Sequence, residues 1–511
     1  MAELLNKILN NDYDYSKKIY LLGTAVSGPT NYPINIKSVK QLYATFGNMG
    51  TLIDAFVAIY DSKLDCEVYC VKVTGSHSEV YLDINTEHGE IISDGLRIYS
   101  KNADESCNDI KITISTNSFN IHLPDSLGGV VMEYGYDDYV TLHELCDAIN
   151  NDTKNLRNYV YCEANCDSFV RSKGSLNGVN PDVVNLKGGN TGLYYNKNMM
   201  YVALDTTYSL LEGIETDIVV PLGVYYDDTF TSNEKDLEEF YDLDREYLTL
   251  KDDYGKFCSY HNQLLRFCVH QMSHGIITYG VIGCSDILET YNGFCDENNY
   301  VEKLQYFKRI NDTEELKEYS HLITSTVGSL YCYYGTRKIN SSIVYAAIAS
   351  NISVAKNTTN VSIPKNFLLC NFFSNKFLHD LHNLGFTAFR YSEYSNSVCV
   401  SSGITMSNDG DMKYFVNVRM IQCTMSYVRR LFSEYIGQDM YKIVSSGILQ
   451  DNLKSLLESL CNKKILKSYK VEEYRDFKNG KIIFKFKFKT VYMIEEYLLY
   501  TGIAYGRWLI E

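Results

Sequence analysis

The sequence predicts a multidomain protein of α/β and α+β class, with an α/β core, an inserted β-rich domain and a C-terminal α+β domain. Three observations predict this class. The first 75 residues contain the order strand, helix, helix, strand; residues 76–188 contain short strands of alternating polarity; and residues 396–511 combine amphipathic helices with one long alternating strand. Since every sheet face and apolar helix stripe has to be buried against another layer, this order indicates layered domains.

The domain boundaries follow from these changes of pattern. A chain of 511 residues is expected to form about two to four domains. We expect a short N-terminal arm at 1–17, the first part of the core at 18–75, the insertion at 76–188, the central part of the core at 189–395 and the C-terminal domain at 396–511.

The first elements of the core have clear patterns. Lys18 to Val26 is a mainly apolar run, which predicts a buried strand that stops at Gly28 and Pro29. Ser38 begins a helix, because Gln41 completes a capping box and Gly47 follows at the expected C-cap. The predicted apolar face of this helix consists of Val39, Leu42, Tyr43 and Phe46.

A second helix and a strand complete this part of the core. The helix carries apolar residues at helical spacing, namely Leu52, Ile53, Phe56, Val57 and Tyr60. Glu67 to Val73 then predicts the next strand.

The insertion and the central core are read from weaker patterns. Short strands are predicted in LRIYSKNA, DIKITIST and FNIHLP, and one amphipathic helix at Leu142 to Ile149. The glycine-rich Lys187 to Gly192 marks the return to the core, where Tyr208 to Gly213 ends a helix. Buried strands are predicted at Thr216 to Pro221 and in HGIITYGVIGCSD. The acidic stretch 227–254 is expected to be a solvated surface excursion.

The C-terminal domain has the strongest single pattern. One helix is predicted from Val418 to Tyr435, ending at Gly437, and a second from Leu449 to Leu460. A strand follows at Ile482 to Val491. It places Phe484, Phe486 and Phe488 on one face and Lys485, Lys487 and Lys489 on the other.

Composition excludes several classes of function. The 45% hydrophobic and 22% charged residues are typical of a globular protein. The net charge of −15, with no basic cluster expected to offset it, argues against direct nucleic-acid binding. No uncharged apolar run approaches the ~20 residues that span a bilayer, and the first residues lack a signal-peptide pattern, so no membrane insertion is expected. The 15 cysteines are scattered without a CxxC pair, which predicts reduced, buried thiols.

One glycine motif resembles a phosphate-binding loop. Gly23 and Gly28 have the GxxxxG spacing after a strand, but Pro29 stands where the motif requires a lysine. Proline also has no N–H with which to bind a phosphate. We therefore predict a tight turn here.

One histidine pair resembles a metalloprotease motif. His270 and His274 lie one helical turn apart, but Gln271 replaces the glutamate that would act as general base. A metal held by this pair and a distant carboxylate remains an alternative to the interpretation that we prefer, two polar side chains near a helix end.

The remaining candidate groups lack the spacing of a known site. They are His379 with His382, Cys162 and Cys166 with His143, the pairs Asp137–Asp138 and Asp227–Asp228, and the glycine-rich Lys187 to Gly192. We therefore predict that the protein is not an enzyme and uses no metal or cofactor. A hydrolase with an unrecognised site is the competing class.

The order of several segments resembles a known family. LLGTAVSGPTNYPINIKSVKQLYATFG (Leu21 to Gly47), followed by EVYCVKVTG (Glu67 to Gly75), is similar to the opening of the contractile tail sheath proteins of bacteriophages and related injection machines. Ser362 to Asn366 resembles the family's Pro-Asn turn, Ser401 to Phe432 its "vnvRR" passage, and KKILKSYKVEEY a strand of its C-terminal domain. Met420 replaces the second arginine of that passage.

The resemblance implies a structural polymer. Such subunits form hexameric rings that stack helically around a tail tube, and the sheath contracts to drive the tube through the host envelope. It implies as partners other copies of the chain, the tail tube protein, and baseplate and tail terminator or collar proteins, in a virion assembled in the bacterial cytoplasm. The alternative is a non-contracting ring at the collar or baseplate.

The C-terminal strand is the predicted linking element. Phe484, Lys485, Phe486, Lys487, Phe488 and Lys489 are the candidate subunit-interface residues. Backbone pairing of this strand with a neighbour would be β-augmentation, with the lysines against an acidic surface. Protection of an exposed edge against aggregation would explain the same lysines.

Overall fold

The computed structural model describes most of the chain. The described residues are 18–86, 88–152, 159–165, 176, 183–193, 195, 197–226, 229–231, 257–284, 297–311, 317–332, 337–363, 366–393, 395–476, 481–490, 501–504 and 507–510. The predicted arm at 1–17 and most of the acidic stretch 227–254 lie outside them.

The described elements alternate between helices and strands. The helices are α1 (Val39–Phe46), α2 (Thr51–Ser62), α3 (Leu142–Asn151), α4 (Lys197–Leu211), α5 (Tyr260–Ser273), α6 (Glu297–Asn311), α7 (Ser341–Asn351), α8 (Asn375–Leu384), α9 (Phe415–Ser433), α10 (Met440–Ser446) and α11 (Ile448–Asn462). The strands are β1 (Lys18–Gly23), β2 (Ile34–Ile36), β3 (Glu67–Lys72), β4 (Glu79–Asn85), β5 (Ile91–Ser100), β6 (Lys111–Ile114), β7 (Ser118–His122), β8 (Val131–Gly135), β9 (Val160–Ala164), β10 (Val183–Asn185), β11 (Ile218–Pro221), β12 (Thr229–Thr231), β13 (Phe257–Ser259), β14 (Tyr279–Gly283), β15 (Ile323–Val327), β16 (Ser329–Cys332), β17 (Arg337–Asn340), β18 (Leu368–Leu369), β19 (Phe386–Ser392), β20 (Ser397–Val400), β21 (Leu466–Asp476), β22 (Lys481–Thr490), β23 (Thr501–Ala504) and β24 (Arg507–Ile510).

The core is a mixed eight-stranded sheet. Its strand order is β2-β3-β1-β11-β14-β15-β19-β20. The six central strands are parallel, and an antiparallel strand closes each edge. Parallel strands are buried on both faces and therefore need apolar side chains throughout, which explains the continuous burial of β11, β14 and β15.

Helices cover this sheet. The helix α7 is buried along almost its whole length and packs on α2 and across the central strands. Its apolar and small residues on all sides suit such a position. The helix α5 packs on β14, with α4 against it.

The first segment confirms the predicted caps but not the whole predicted face. The hydroxyl of Ser38 accepts a hydrogen bond from the Gln41 amide, and Gly47 adopts φ 75° at the C-cap. Leu42 and Phe46 are buried as predicted, whereas Tyr43 is 46% exposed. The predicted strand at Lys18 to Val26 ends earlier, at Gly23, because the following residues turn back onto α1.

The insertion has a hydrophobic core of its own. The sheets β10-β6-β7-β8 and β4-β5-β9 enclose it with α3, as the alternating strands predict. The insertion is attached at a double connection, where Ser76 and Glu79 pair antiparallel with Asn190 and Lys187. The glycine-rich return is therefore part of this connection.

The C-terminal helices and ribbon form a third hydrophobic cluster. The leucines of α11 are buried against the second half of α9, as their spacing predicts. The helix α9 ends at Ser433 and not at Gly437, because residues 434–437 continue as turns and Gly437 adopts φ 85° in the last of them.

The structure confirms the predicted fold class, with an α/β core, a β-rich insertion and an α+β C-terminal unit. The first half of α9 and the strand β20 belong to the main sheet and its core. The limits at 75/76, 188/189 and 395/396 remain predictions.

Candidate assembly interface

The predicted linking strand lies in a two-stranded antiparallel ribbon. Its partner is β21, and the register pairs Val471 with Phe486 and Glu473 with Phe484. The strict alternation of β22 requires that one side faces the protein and the other faces water. Residue 491, the predicted end of the strand, lies outside the described residues.

The phenylalanine face of β22 contacts the C-terminal helices. The ring of Phe432 on α9 lies 4.9 Å from that of Phe484, and Phe486 and Phe488 continue the row at 5.5 Å from each other. All three phenylalanines of β22 are only half-buried against the leucine cluster of α11. The ribbon is thus held on the unit by one face while part of its apolar surface stays accessible.

The other face of the ribbon is cationic. Lys485, Lys487 and Lys489 are exposed there, and the register places Lys470 directly opposite Lys487. Like charges that face each other across a strand pair are destabilising. An open cavity of about 310 Å³ lies on this face, lined by Lys470, Glu472, Lys485, Phe486 and Lys487.

One ion pair lies within this face. The Lys470 Nζ is 2.8 Å from the Glu472 carboxylate, which raises the pKa of Lys470 and lowers that of Glu472. Both side chains are exposed, so this pair contributes little to stability. The ammonium of Lys485 lies 4.9 Å from the centre of the Tyr474 ring. The face therefore retains a positive charge.

The resemblance predicted a strand in KKILKSYKVEEY, but not that β21 would pair with β22 and add Lys470 and Glu472 to its lysine face. In KSYKVEEYRD, Val471 and Glu473 stand between Lys470, Glu472 and Tyr474, so this segment lacks the strict polar–apolar alternation that predicted β22. The segment 463–490 contains ten basic and three acidic residues, so the expectation that no basic cluster offsets the net charge is wrong.

The outer edge of β22 is open within the described part of the chain. Among the described residues, β22 pairs with β21 and with no other strand. Such an edge presents backbone N–H and C=O groups that can pair with another chain.

The phosphate-loop candidate is a packed turn. Gly28 has φ 98°, and a Cβ atom there would lie 2.6 Å from the Phe46 ring. At the N-terminus of α2, the Thr51 and Leu52 amides donate to the Oγ1 and carbonyl oxygens of Thr24. Amides at a helix N-terminus can bind a phosphate group, but these two donate to the turn. The prediction of a tight turn is confirmed.

This turn also fills the crevice where α/β sheets bind ligands. The strand order reverses between β1 and β11, and ligands usually bind beyond the carboxyl ends of the strands at such a point. Here a Cβ atom at Gly23 would lie 2.5 Å from the Thr51 hydroxyl and 3.0 Å from Leu222. The position is occupied by the protein's own side chains.

The histidine motif is divided between the surface and the core. His270 is exposed, with its Nδ1 3.0 Å from Oε1 of Glu212, and His274 caps α5. Gln271 is fully buried. Its amide donates to the carbonyl of Ile214 at 2.8 Å and accepts from the Gly213 amide at 2.8 Å. The interpretation as polar side chains near a helix end is confirmed, with Gln271 fixing the turn between α4 and β11.

The other candidate groups do not converge. Within the described residues, no group of three or more histidine, cysteine and acidic side chains could hold a metal ion. Cys162 is buried in the insertion, where Asn150 binds its backbone on both sides, and Cys166, Asp227 and Asp228 lie outside the described residues. The cysteines that the structure describes carry free thiols, and burial raises the pKa of Cys146 to about 12, as expected of structural residues.

Two buried cationic side chains were not predicted from the sequence. Lys72, at the end of β3, donates to the Ala103 carbonyl of the insertion, and desolvation lowers its pKa to about 8. Arg419 on α9 is 1% exposed, and desolvation lowers its pKa to about 10. Burial of Asp217 in turn raises the pKa of its carboxyl to about 6. A single polar residue in an apolar run gives no local signal of such burial.

No helix among the described residues has both the length and the apolar character needed to span a bilayer. This finding concerns the described helices alone.

Comparisons with known proteins give matches among solved structures. No protein-family model and no curated protein matches this chain. The chain is similar to the sheath tail protein of Listeria innocua, with a TM-score of 0.49 and 10% identity over 94% of this chain and 99% of that one. It is similar to the sheath tail protein of Desulfitobacterium hafniense, with a TM-score of 0.46 and 11% identity over 93% and 96%.

A third similar structure is a chain of the anti-feeding prophage baseplate in its contracted state. It gives a TM-score of 0.49 and 12% identity over 97% of this chain and 95% of that chain. These proteins are of the kind that the sequence resembles. At such identities and TM-scores, the case for the role of this chain rests on its own residues.

Proposed function

We propose that this chain is a structural subunit of a contractile tail sheath. Copies assemble into hexameric rings that stack helically around a tail tube, and contraction of the stack drives the tube through the host envelope. The partners are other copies, the tail tube protein, and baseplate and terminator or collar proteins, in a tail assembled in the bacterial cytoplasm. The output of the protein is its self-association, and it is not an enzyme.

The C-terminal ribbon carries this proposal. It is seated on α9 through one face, while its lysine face and its outer edge remain accessible in the described part of the chain. Strand addition at that edge gives directional backbone hydrogen bonds, which can maintain the register of neighbouring subunits while their domains rotate. The order of sheath-like segments along the sequence supports the same role.

Electron microscopy of the purified full-length chain tests the function. Tubes of stacked rings are expected, and hundreds of copies per tail particle. Isolated rings with six or twelve copies would identify the non-contracting alternative. A monomer that does not associate even at high concentration refutes both.

A substitution in the ribbon tests its linking role. Phe486→Asp should weaken the seating of β22 on α9 and shorten or abolish the tubes, while far-ultraviolet circular dichroism of the core stays unchanged. Ile436→Asp is the matched control, because Ile436 lies in the turns that follow α9, outside the ribbon, and is 81% exposed. Tubes of normal length from the Phe486 variant would remove the ribbon from the linkage.

A further inference from the structure

Two segments of the chain carry net charges of opposite sign. The net charge is −15, and residues 232–256 contain nine acidic and four basic residues. Residues 463–490, which include the ribbon, contain ten basic and three acidic residues. Since each segment is highly charged for its length, each favours a partner of the opposite sign.

The residues that flank the acidic segment lie at one end of the main sheet. The strands that flank it pair with each other, with Thr229 opposite Ser259. Just before this pair, the Tyr226 amide donates to the carbonyl of Gly283, the last residue of β14. The segment 232–256 therefore begins and ends beyond the carboxyl ends of the parallel strands.

The ribbon lies toward the other end of the same strands. The side-chain amide of Gln422 on α9 donates to the carbonyls of Asp217 at 2.9 Å and Ile277 at 2.8 Å. These residues precede β11 and β14, so the middle of α9 contacts the amino ends of the strands. The helix continues from there to Phe432, on which the ribbon packs.

We propose that the lysine face of the ribbon binds the acidic segment 232–256 of a second copy of this chain. The proposal rests on the proposed function and names a contact within the assembly. A basic surface and an acidic segment at opposite ends of one subunit favour a head-to-tail contact. Such a heterologous contact, repeated by a rotation that does not close, generates an open helical stack.

The ribbon has the chemistry for this contact. Among the described residues, the lysine face presents the side chains of Lys470, Lys485, Lys487 and Lys489 together with the Glu472 carboxylate. Carboxylates of a second copy would relieve the repulsion between Lys470 and the directly opposed Lys487. The cavity of about 310 Å³ between these side chains gives room for an acidic side chain.

Complementary charge reversal in the full-length chain tests the contact. The first variant combines Lys485→Glu, Lys487→Glu and Lys489→Glu. The second combines Glu234→Lys, Glu238→Lys, Glu239→Lys and Asp242→Lys. Association is followed by sedimentation velocity and electron microscopy over a range of salt concentration.

Neither variant should associate alone, and an equimolar mixture should. In the mixture, the acidic ribbon of the first variant can bind the basic segment of the second. The lysine ribbon of the second variant can likewise bind the unchanged acidic segment of the first. For the wild type, we expect association to weaken at least about tenfold between roughly 50 and 500 mM NaCl, because salt screens exposed charges. The control Lys454→Glu changes an exposed lysine of α11, outside the ribbon, and should leave association unchanged.

The possible failures are distinguishable. If either variant associates like the wild type, or if the mixture does not recover association, the charge contact is refuted while the sheath function stands. A single chain that carries both sets of reversals tests whether the contact lies within one chain. If this chain folds normally while the mixture of the two singly reversed chains does not associate, the contact lies within one chain and the proposal is wrong. A wild type that never associates refutes the proposed function, and this contact with it.

Discussion

Gln271 provides a test of why the histidine motif is structural. Gln271→Glu recreates the protease-like sequence His-Glu-x-x-His with almost no change in size. The glutamine amide donates to the carbonyls of Ile214 at 2.8 Å and Leu211 at 3.3 Å. A glutamate cannot donate to them when ionised, and its charge would be buried where the glutamine is fully enclosed.

The magnitude follows from these contacts. Each buried carbonyl that loses its donor costs about 1–3 kcal/mol, and the carboxyl group must either be buried as a charge or take up a proton. We therefore expect Gln271→Glu to lower the free energy of unfolding of the core by about 3–6 kcal/mol at pH 7. The loss should shrink toward pH 4, because a protonated carboxyl group can donate one hydrogen bond again.

The assay is urea unfolding followed by circular dichroism, with His270→Gln as the matched control. The side chain of His270 is 63% exposed and contacts Glu212, so its replacement should change the free energy of unfolding by less than about 1 kcal/mol. Equal stability of Gln271→Glu and wild type would refute the assignment of Gln271 as the structural centre of the turn. Stoichiometric zinc binding by the wild type that His270→Gln abolishes would restore the metal-site interpretation.

Three further outcomes are expected. The pKa of Lys72 is about 8 in the folded protein, below its ordinary value of 10.5. The free energy of unfolding should therefore rise by up to about 3 kcal/mol as the pH increases from about 8 to 10.5. In urea unfolding at a series of pH values, Lys72→Met should lack this rise. The pKa of Asp217 is about 6 in the folded protein, above its ordinary value of 3.8. The free energy of unfolding should therefore fall by up to about 3 kcal/mol as the pH increases from 3.8 to about 6. If Asp217→Asn shows the same fall in its pH profile, this prediction is wrong. Phe432→Ala removes the ring that lies 4.9 Å from that of Phe484. Hydrogen exchange of the β22 amides should then show that the free energy of local opening is lower by about 2 kcal/mol. Unchanged protection of these amides would show that α9 does not hold the ribbon.

Much of the local structure could be predicted because its signals are local. The caps at Ser38 and Gly47, the leucines of α11 and the alternation of β22 each depend on neighbours within a few residues. The end of α9 was misplaced because Gly437 closes a series of turns that follows the helix. Glycine marks a positive φ but does not specify which element precedes it.

The candidate sites depended on contacts that sequence spacing does not contain. His270, Gln271 and His274 share a motif, but the packing of α5 on β14 turns the glutamine into the core and leaves the histidine pair at the end of the helix. Lys72 is buried because residue 103 of the insertion covers it. In both cases the environment comes from segments that are distant along the chain.

The sequence alone determined the periodicities, the caps and the two charged segments, because these depend on the order of residues over short distances. The tertiary structure decided which strands are neighbours, which polar side chains are enclosed, and that the ribbon and the base of the acidic segment are at opposite ends of the same parallel strands. Those features depend on packing between segments far apart in the chain, where many arrangements satisfy the same local pattern and only burial of the whole core selects one.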